Sequence, residues 1–295
     1  MGRLDDKVAL VTGGARGQGE QEARLFAAEG ARVVLTDVLD AEGKQTAADI
    51  GAAATFHHQD VTSESEWTSV VDAVLAEHGQ IDVLVNNAGI FQILPLLMTS
   101  EADYRKVIDI NQVGVFLGMK AVLPHMIERA RGSVINISSV AGLIGSPGTF
   151  AYSASKWAVR GMTRSAAKEV APFGVRVNSI HPGIIDTAMV DQLEDLGVMP
   201  ALMERIPAGR KADAVEVARL VRFLLLLPAP ADALRNISGA ENERVACGNT
   251  VLCKRSLAGF LITRAGTVAG VDSSDVLAMR PVNFLKRSRN GIVIA

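Results

Sequence analysis

Short apolar runs alternate along this chain with longer stretches in which apolar residues recur every three or four positions. That is the rhythm of βαβ units, which build a parallel sheet covered by helices on both faces. Lys7 to Val11 reads as a first strand, Gly17 to Glu29 as a helix stopped by Gly30, and Arg32 to Thr36 as a second strand. A helix at Ala41 to Ile50, a strand at Thr55 to His58, a helix from Ser63 to His78 capped by Ser63, and a strand at Val83 to Asn86 continue the alternation. Two helices, Ser100 to Ile110 and Val113 to Arg129, lead to a strand at Ser133 to Ser138, whose continuous apolar character suits a sheet covered on both sides. A helix at Tyr152 to Val170, a strand at Arg176 to Ile180 and, after a long loop, an amphipathic helix at Asp213 to Leu227 complete the regular part. The expected fold is α/β, a doubly wound parallel sheet.

Beyond Pro228 the pattern loosens, and only a strand near Phe260 to Thr263 can be placed. The chain therefore reads as a single domain, 1–295, with an atypical C-terminal region, 228–295. Its 295 residues suffice for a large core. A net charge of -2 leaves no electrostatic footprint for nucleic acid, and the short basic run Lys286-Arg287-Ser288-Arg289 reads as a solvated tail. Cys247 and Cys253 lack the company of a zinc set or a disulfide framework, so no metal is expected and a reducing cytoplasm fits best. The charged start Met1 to Asp6 argues against a secretory leader, and Phe223 to Leu227 falls well short of the roughly 20 apolar residues of a membrane helix. Asn136-Ile137-Ser138 and Asn236-Ile237-Ser238 match the glycosylation sequon, but the first lies in an apolar strand pattern.

Candidate chemistry begins at the first strand-to-helix turn, Thr12-Gly13-Gly14-Ala15-Arg16-Gly17-Gln18-Gly19. Glycines at Gly13, Gly17 and Gly19 let a diphosphate approach the backbone, and the helix N-terminus behind them offers free N–H groups and the positive end of a dipole. This is the Rossmann-type arrangement for a dinucleotide. Asp37 ends the second strand, about 20 residues beyond Gly17, where a carboxylate accepts hydrogen bonds from ribose hydroxyls and repels a 2′-phosphate. NAD is therefore expected over NADP, with Arg16 a cation in the same turn that softens the preference. Farther on, Tyr152 and Lys156 stand four residues apart in a helical pattern, which puts a phenol and an ammonium on one face.

With these residues in hand, the chain resembles the short-chain dehydrogenase/reductase family in its single-domain form, from about Gly2 to Leu227. The likeness is carried by Thr12-Gly13-x-x-x-Gly17-x-Gly19, by Asn86-Asn87-Ala88-Gly89, by the Tyr152 and Lys156 pair, and by Pro182-Gly183 followed by Thr187. Gly14 to Gly19 and Asn178 to Gly183 are most similar to hydroxysteroid dehydrogenase-like and 3-oxoacyl-reductase-like bacterial members. The resemblance implies a catalytic tetrad of Asn111, Ser139, Tyr152 and Lys156. It also implies cofactor contacts from Gly13, Arg16, Gly17, Gln18, Gly19, Asp37, Asp60, Val61, Asn87, Ala88, Gly89, Tyr152, Lys156, Pro182, Gly183 and Thr187, with Asp60 and Val61 beside the adenine.

Ser139 then orients the substrate oxygen, and Tyr152 is the acid in ketone reduction and the base in alcohol oxidation. Lys156 and the oxidised nicotinamide are expected to favour the phenolate, Lys156 also holds a ribose, and Asn111 anchors a relaying water. Hydride chemistry needs no protein nucleophile, so His57, His58 and His181 are expected to be structural, His181 shaping the following turn, and Trp67 and Trp157 to serve packing or an interface.

The substrate-side segments, Ile90 to Met98, Val140 to Phe150 and Ile184 to Ile206, are apolar. A lipophilic, steroid-like secondary alcohol or ketone is the first expectation. The alternatives are a 3-oxoacyl thioester, a silent dinucleotide-binding subunit, or lyase or epimerase chemistry, against which the length and turn spacing argue. The resemblance also implies a homotetramer built on the Tyr152 helix, the Asp213 to Leu227 helix and the final strand. The family's closing segment is interrupted: Ser238-Gly239-Ala240-Glu241 and Gly266-Thr267-Val268-Ala269-Gly270 are separated by about two dozen residues, more than an ordinary connection.

Overall fold

The computed structural model describes residues 2–227 and the pair 260–261. The interrupted closing segment, both cysteines, Asn236 and the basic tail lie outside the described residues.

Six parallel strands, β1 (Val8–Thr12), β2 (Arg32–Asp37), β3 (Ala54–His58), β4 (Val83–Asn86), β5 (Gly132–Ile137) and β6 (Val175–Pro182), form a sheet in the order β3-β2-β1-β4-β5-β6. A two-residue strand, Phe260–Leu261, pairs antiparallel with His181 and Pro182 at the β6 edge. The order reverses between β1 and β4, and the crevice beyond the carboxyl ends of those strands is where a doubly wound sheet binds ligands.

Alternation along the strands explains the double cover. Ala9, Val11, Val33, Leu35, Val83, Val85, Ile135 and Ile180 enter one apolar cluster, with Ala23 and Phe26 of α1 (Gly17–Ala28) and Val217, Val221 and Leu224 of the helix Ala214–Leu225. Their neighbours Val8, Leu10, Val34, Leu84, Val134 and Val177 enter a second. There they meet Trp67 and Val70 of the helix Glu64–His78, Val122 and Met126 of the helix Gly114–Glu128, and Val159 and Ala167 of the helix Phe150–Val170. The central strands thus face a core on both sides, which is why no polar face breaks their sequence patterns.

Local signals set the helix ends. Ser63 caps its helix by accepting from Glu66 N–H, and Gly79 ends it in the left-handed conformation at φ 72°. Asp213 and Glu216 form a capping box at the last described helix.

One boundary differs from expectation. The two helices read on either side of Asn111 are a single run, Glu101–Glu128, in which Asp109–Val113 is a π-helical turn. One extra residue is accommodated there, and it turns Asn111 fully into the interior. The run is long enough to cross a membrane, and an 18-residue window of it has a mean hydropathy of 1.3. Val107, Val115, Leu117, Met119, Val122 and Met126 of this run are buried in the protein's core, while Phe116 is half exposed.

Candidate active site

The turn after β1 is built by hydrogen bonds from β4. Thr12 Oγ1 accepts from Asn87 N–H and Ala88 N–H, both at 3.1 Å, and the Asn87 amide donates to the carbonyls of Thr12 at 2.9 Å and Gly13 at 3.1 Å. Gly13 adopts φ 64°, and a Cβ there would lie 2.8 Å from Ala88 Cα. A Cβ on Gly19 would lie 2.3 Å from the Gly13 carbonyl oxygen, so only glycine fits that point of the turn.

Gly17, at φ 62°, opens α1, and its hydrogen side faces the Thr187 methyl, where a Cβ would sit at 3.4 Å. The loop that leaves β6 through Pro182 and Gly183 thereby brings Thr187 over the glycine turn. Arg16 is exposed beside this turn and makes no side-chain cap to α1. Asp37, half-buried, accepts from Ala15 N–H and Leu39 N–H, each at 3.1 Å, and so ties the end of β2 to the turn. Asp60 accepts from the Thr62 N–H and hydroxyl, while Val61 sends its side chain into the core beside Trp67. The chain therefore offers a glycine cradle, a helix N-terminus and an acidic strand end on one rim, which fit a dinucleotide's diphosphate and ribose.

The second half of the site lies across the sheet ends. Ser139 caps a short turn after β5; its Oγ accepts from Ala141 N–H at 3.1 Å, leaving its hydrogen free to donate. Tyr152 lies in the first turn of the helix Phe150–Val170. Lys156 follows one turn later, its Nζ 5.6 Å from the Tyr152 ring centroid and donating to the Ile137 carbonyl at 2.9 Å. Asn111 Oδ1 accepts from Ile90 N–H at 2.8 Å, and its amide donates to the Ile90 carbonyl and to Ser155 Oγ. A Cβ on Gly89 would meet Asn111 Oδ1 at 3.1 Å and Lys156 Nζ at 3.5 Å, so this glycine lets the two approach the same point.

Burial dominates the titration of the pair. It raises Tyr152 above the ordinary phenol value, with the Ser139 hydroxyl pulling the other way. It lowers Lys156 from 10.5 to about 8. In the protein alone, burial opposes the phenolate, and the Lys156 ammonium is turned onto the Ile137 carbonyl. At neutral pH the pair holds a protonated phenol beside a cation, a proton donor with a hydroxyl partner.

Three contributors escaped the sequence reading. His181 is buried, and its Nδ1–H donates to the Ser139 carbonyl at 3.1 Å; burial lowers it to about 4, so it is neutral. It supports Ser139 from behind rather than shaping the next turn. The Phe91 ring packs edge-on against Tyr152, centroids 4.9 Å apart at 82°, and the Gln192 amide holds the Phe91 carbonyl at 3.0 Å. Glu22, on the buried face of α1, accepts from Gln18. Only Glu22 left a signal, an acid in an otherwise apolar stripe with Gly19, Ala23 and Phe26.

The short chain dehydrogenase family pattern matches residues 7–196. A 3-alpha-(or 20-beta)-hydroxysteroid dehydrogenase of Mycobacterium tuberculosis is 48% identical over 223 residues, 76% of this chain and 84% of that enzyme. A cyclopentanol dehydrogenase of Comamonas testosteroni is 46% identical over 229 residues, 76% of this chain and 92% of that enzyme. The crystal structure of levodione reductase superposes with a TM-score of 0.73 at 35% identity, covering 75% of this chain and 91% of the reductase. With a dinucleotide turn and a paired phenol and ammonium converging on one crevice, the chain belongs to the short-chain dehydrogenase family, oxidoreductases that act on CH–OH groups with NAD(H) or NADP(H).

Proposed function

We propose that this protein interconverts a bulky lipophilic secondary alcohol and its ketone, with a steroid or other polycyclic alcohol as substrate and NAD(H) as cofactor. The observation that carries the reading is the convergence of Tyr152, Ser139 and Lys156 on one site. Leu96, Leu97, Met98, Ile144, Met189, Leu196 and Val198 all stand exposed in the three segments that border the site, and Leu97 is 97% exposed. Where such side chains form a contiguous patch they mark a surface that binds something apolar, and these are the residues that would form one. The names of the hydroxysteroid and cyclopentanol relatives support the same class of substrate.

The bound nicotinamide supplies the hydride chemistry. Ser139, braced by His181 and Ala141 N–H, donates its free hydrogen to the substrate oxygen and fixes it against Tyr152. Tyr152 gives its proton to the oxygen in reduction and recovers it in oxidation. Lys156 holds a ribose and keeps a positive charge beside the phenol, and Asn111 fixes the Ile90 backbone and, through Ser155, the start of the Tyr152 helix. Gly13, Gly17 and Gly19 give the diphosphate its backbone approach. Asp37, an acid at the end of β2, would repel a 2′-phosphate and accept from ribose hydroxyls, so the reading selects NAD.

The test combines both choices: kcat/KM on a panel of steroid, cyclic and aliphatic alcohols with NAD and with NADP. The expected result is fastest turnover of a steroid or polycyclic alcohol with NAD, and a D37A variant that loses about tenfold or more of the preference, equivalent to about 1.4 kcal/mol. Turnover confined to acyl thioesters overturns the substrate reading, and wild-type preference for NADP overturns the role of Asp37.

A further inference from the structure

We infer that Glu22, in its neutral form, is a positioning residue for the dinucleotide turn, acting through Gln18 and Asn87. The proposal rests on the reading of the Gly13 to Gly19 turn as the diphosphate site. Glu22 is fully buried in α1, one helical turn after Gln18. The Gln18 amide donates to Glu22 Oε1 at 3.3 Å and to Asn87 Oδ1 at 3.2 Å, which uses both of its hydrogens. Asn87 passes the constraint on, because its own amide holds the carbonyls of Thr12 and Gly13. A continuous line of hydrogen bonds thus runs from a carboxyl in the core to the glycine that shapes the turn.

The charge state of Glu22 matters because no group among the described residues pairs with a negative charge there. On α1 itself, Glu20 and Arg24 pair with each other, Arg24 also meets Asp49 of the helix Asp40–Ile50, and Glu29, just past the end of α1, pairs with Arg222. Strand β1 carries no titratable residue; β2 carries exposed Arg32 and half-buried Asp37, the latter bound to Ala15 and Leu39 N–H. On the helix Ala214–Leu225, Glu216 is held by Arg210, Arg219 is exposed, and Arg222 is taken by Glu29. None of these groups forms an ion pair or hydrogen bond with Glu22, and Oε2 has no hydrogen-bond partner among the described residues.

Burial therefore raises its pKa from 4.5 to about 8, against the smaller lowering by Gln18. The neutral acid still accepts from Gln18 through its carbonyl oxygen, although that contact alone would favour the carboxylate. Ionisation places an unbalanced charge in the core behind the turn, where it also repels a diphosphate at the start of the same helix.

The proton count fixes the sign. Between about 4.5 and about 8 the folded state binds the proton that the unfolded chain has released, so Glu22 makes folding stability fall as pH rises through that window, with the full cost above about 8. A neutral glutamine removes this term.

The experiment measures ADP binding by calorimetry in wild type, E22Q and E22A as a function of pH, with thermal unfolding of the free proteins alongside. ADP reaches the turn but lacks the nicotinamide ribose, so the titration of Lys156 at the far end of the site does not enter. The expected result is that wild-type affinity weakens above about pH 8, approaching about tenfold per pH unit, while E22Q stays flat through that range. E22Q also unfolds at a higher temperature than wild type, by a margin that widens as pH rises towards 8. E22A, which removes the acceptor for Gln18, binds ADP more weakly than E22Q at every pH. Parallel pH profiles in wild type and E22Q, or equal affinities in E22Q and E22A, overturn the proposal. Folded wild type that binds neither ADP nor NAD at any pH overturns the diphosphate site itself.

Discussion

Tyr152→Phe lowers kcat by about 10²–10⁴-fold, the usual worth of a positioned proton donor, while NAD affinity and thermal stability stay close to wild type. The separation follows from where the hydroxyl sits. Phenylalanine keeps the ring and hence the edge-on contact with Phe91. What is lost is the single proton that the substrate oxygen needs. Because burial raises Tyr152 above the ordinary phenol value of about 10, the wild-type enzyme holds the acid form at neutral pH. Ketone reduction is then favoured near neutrality, and alcohol oxidation accelerates as pH rises and the base form appears. Pre-steady-state and steady-state rates in both directions, with NADH fluorescence for binding, check the prediction; a variant with wild-type kcat means that another group moves the proton.

Lys156→Met is expected to lose activity by about 10²-fold or more without losing stability, because the charge serves chemistry while destabilising the fold. Lys156 is 4% exposed, and a backbone carbonyl, that of Ile137, is its hydrogen-bond acceptor. Its pKa falls from 10.5 to about 8, so the unfolded chain binds the extra proton between those values and stability rises with pH across that window. Below about 8 the full cost is present, on the order of 3–4 kcal/mol at about 1.4 kcal/mol per pH unit. Methionine fills a similar volume without the charge, although it leaves the Ile137 carbonyl unpaired at about 1–3 kcal/mol. The net expectation is a Tm at neutral pH equal to or above wild type, with the variant's relative advantage shrinking as pH rises from about 8 to about 10. Thermal unfolding across that range decides it: a clear drop in Tm at neutral pH means that the buried ammonium is a net stabiliser.

The sheet was legible because its strands are covered on both sides. The central strands β1 and β4 read as short apolar runs between glycines and polar turns, so β4 is found at Val83–Asn86, the bounds that its sequence suggests. The glycine turn and the Tyr152 helix were legible for a different reason: their chemistry requires particular residues at fixed local spacing. The π-helical turn was not, because Asn111 and Gln112 read as a polar break between two helices, whereas the extra residue is absorbed within one run.

Contacts made across the sheet were equally hidden. His181 reaches Ser139, and Phe91 reaches Tyr152, over sequence separations that no local pattern encodes. The sign of the Tyr152 shift also depended on burial, since spacing alone brings Lys156 near but does not tell how much water both groups lose.

Every residue assigned here serves one event, the coupling of a secondary alcohol to a nicotinamide through the Tyr152 proton. That coupling is read most directly from the amounts of NADH and of ketone formed when purified protein, NAD and the best alcohol of the panel are mixed. The expected outcome is one ketone for each NADH, formed by wild type and lost in the Y152F variant. Folded protein that binds NAD but forms neither product with any secondary alcohol would refute it.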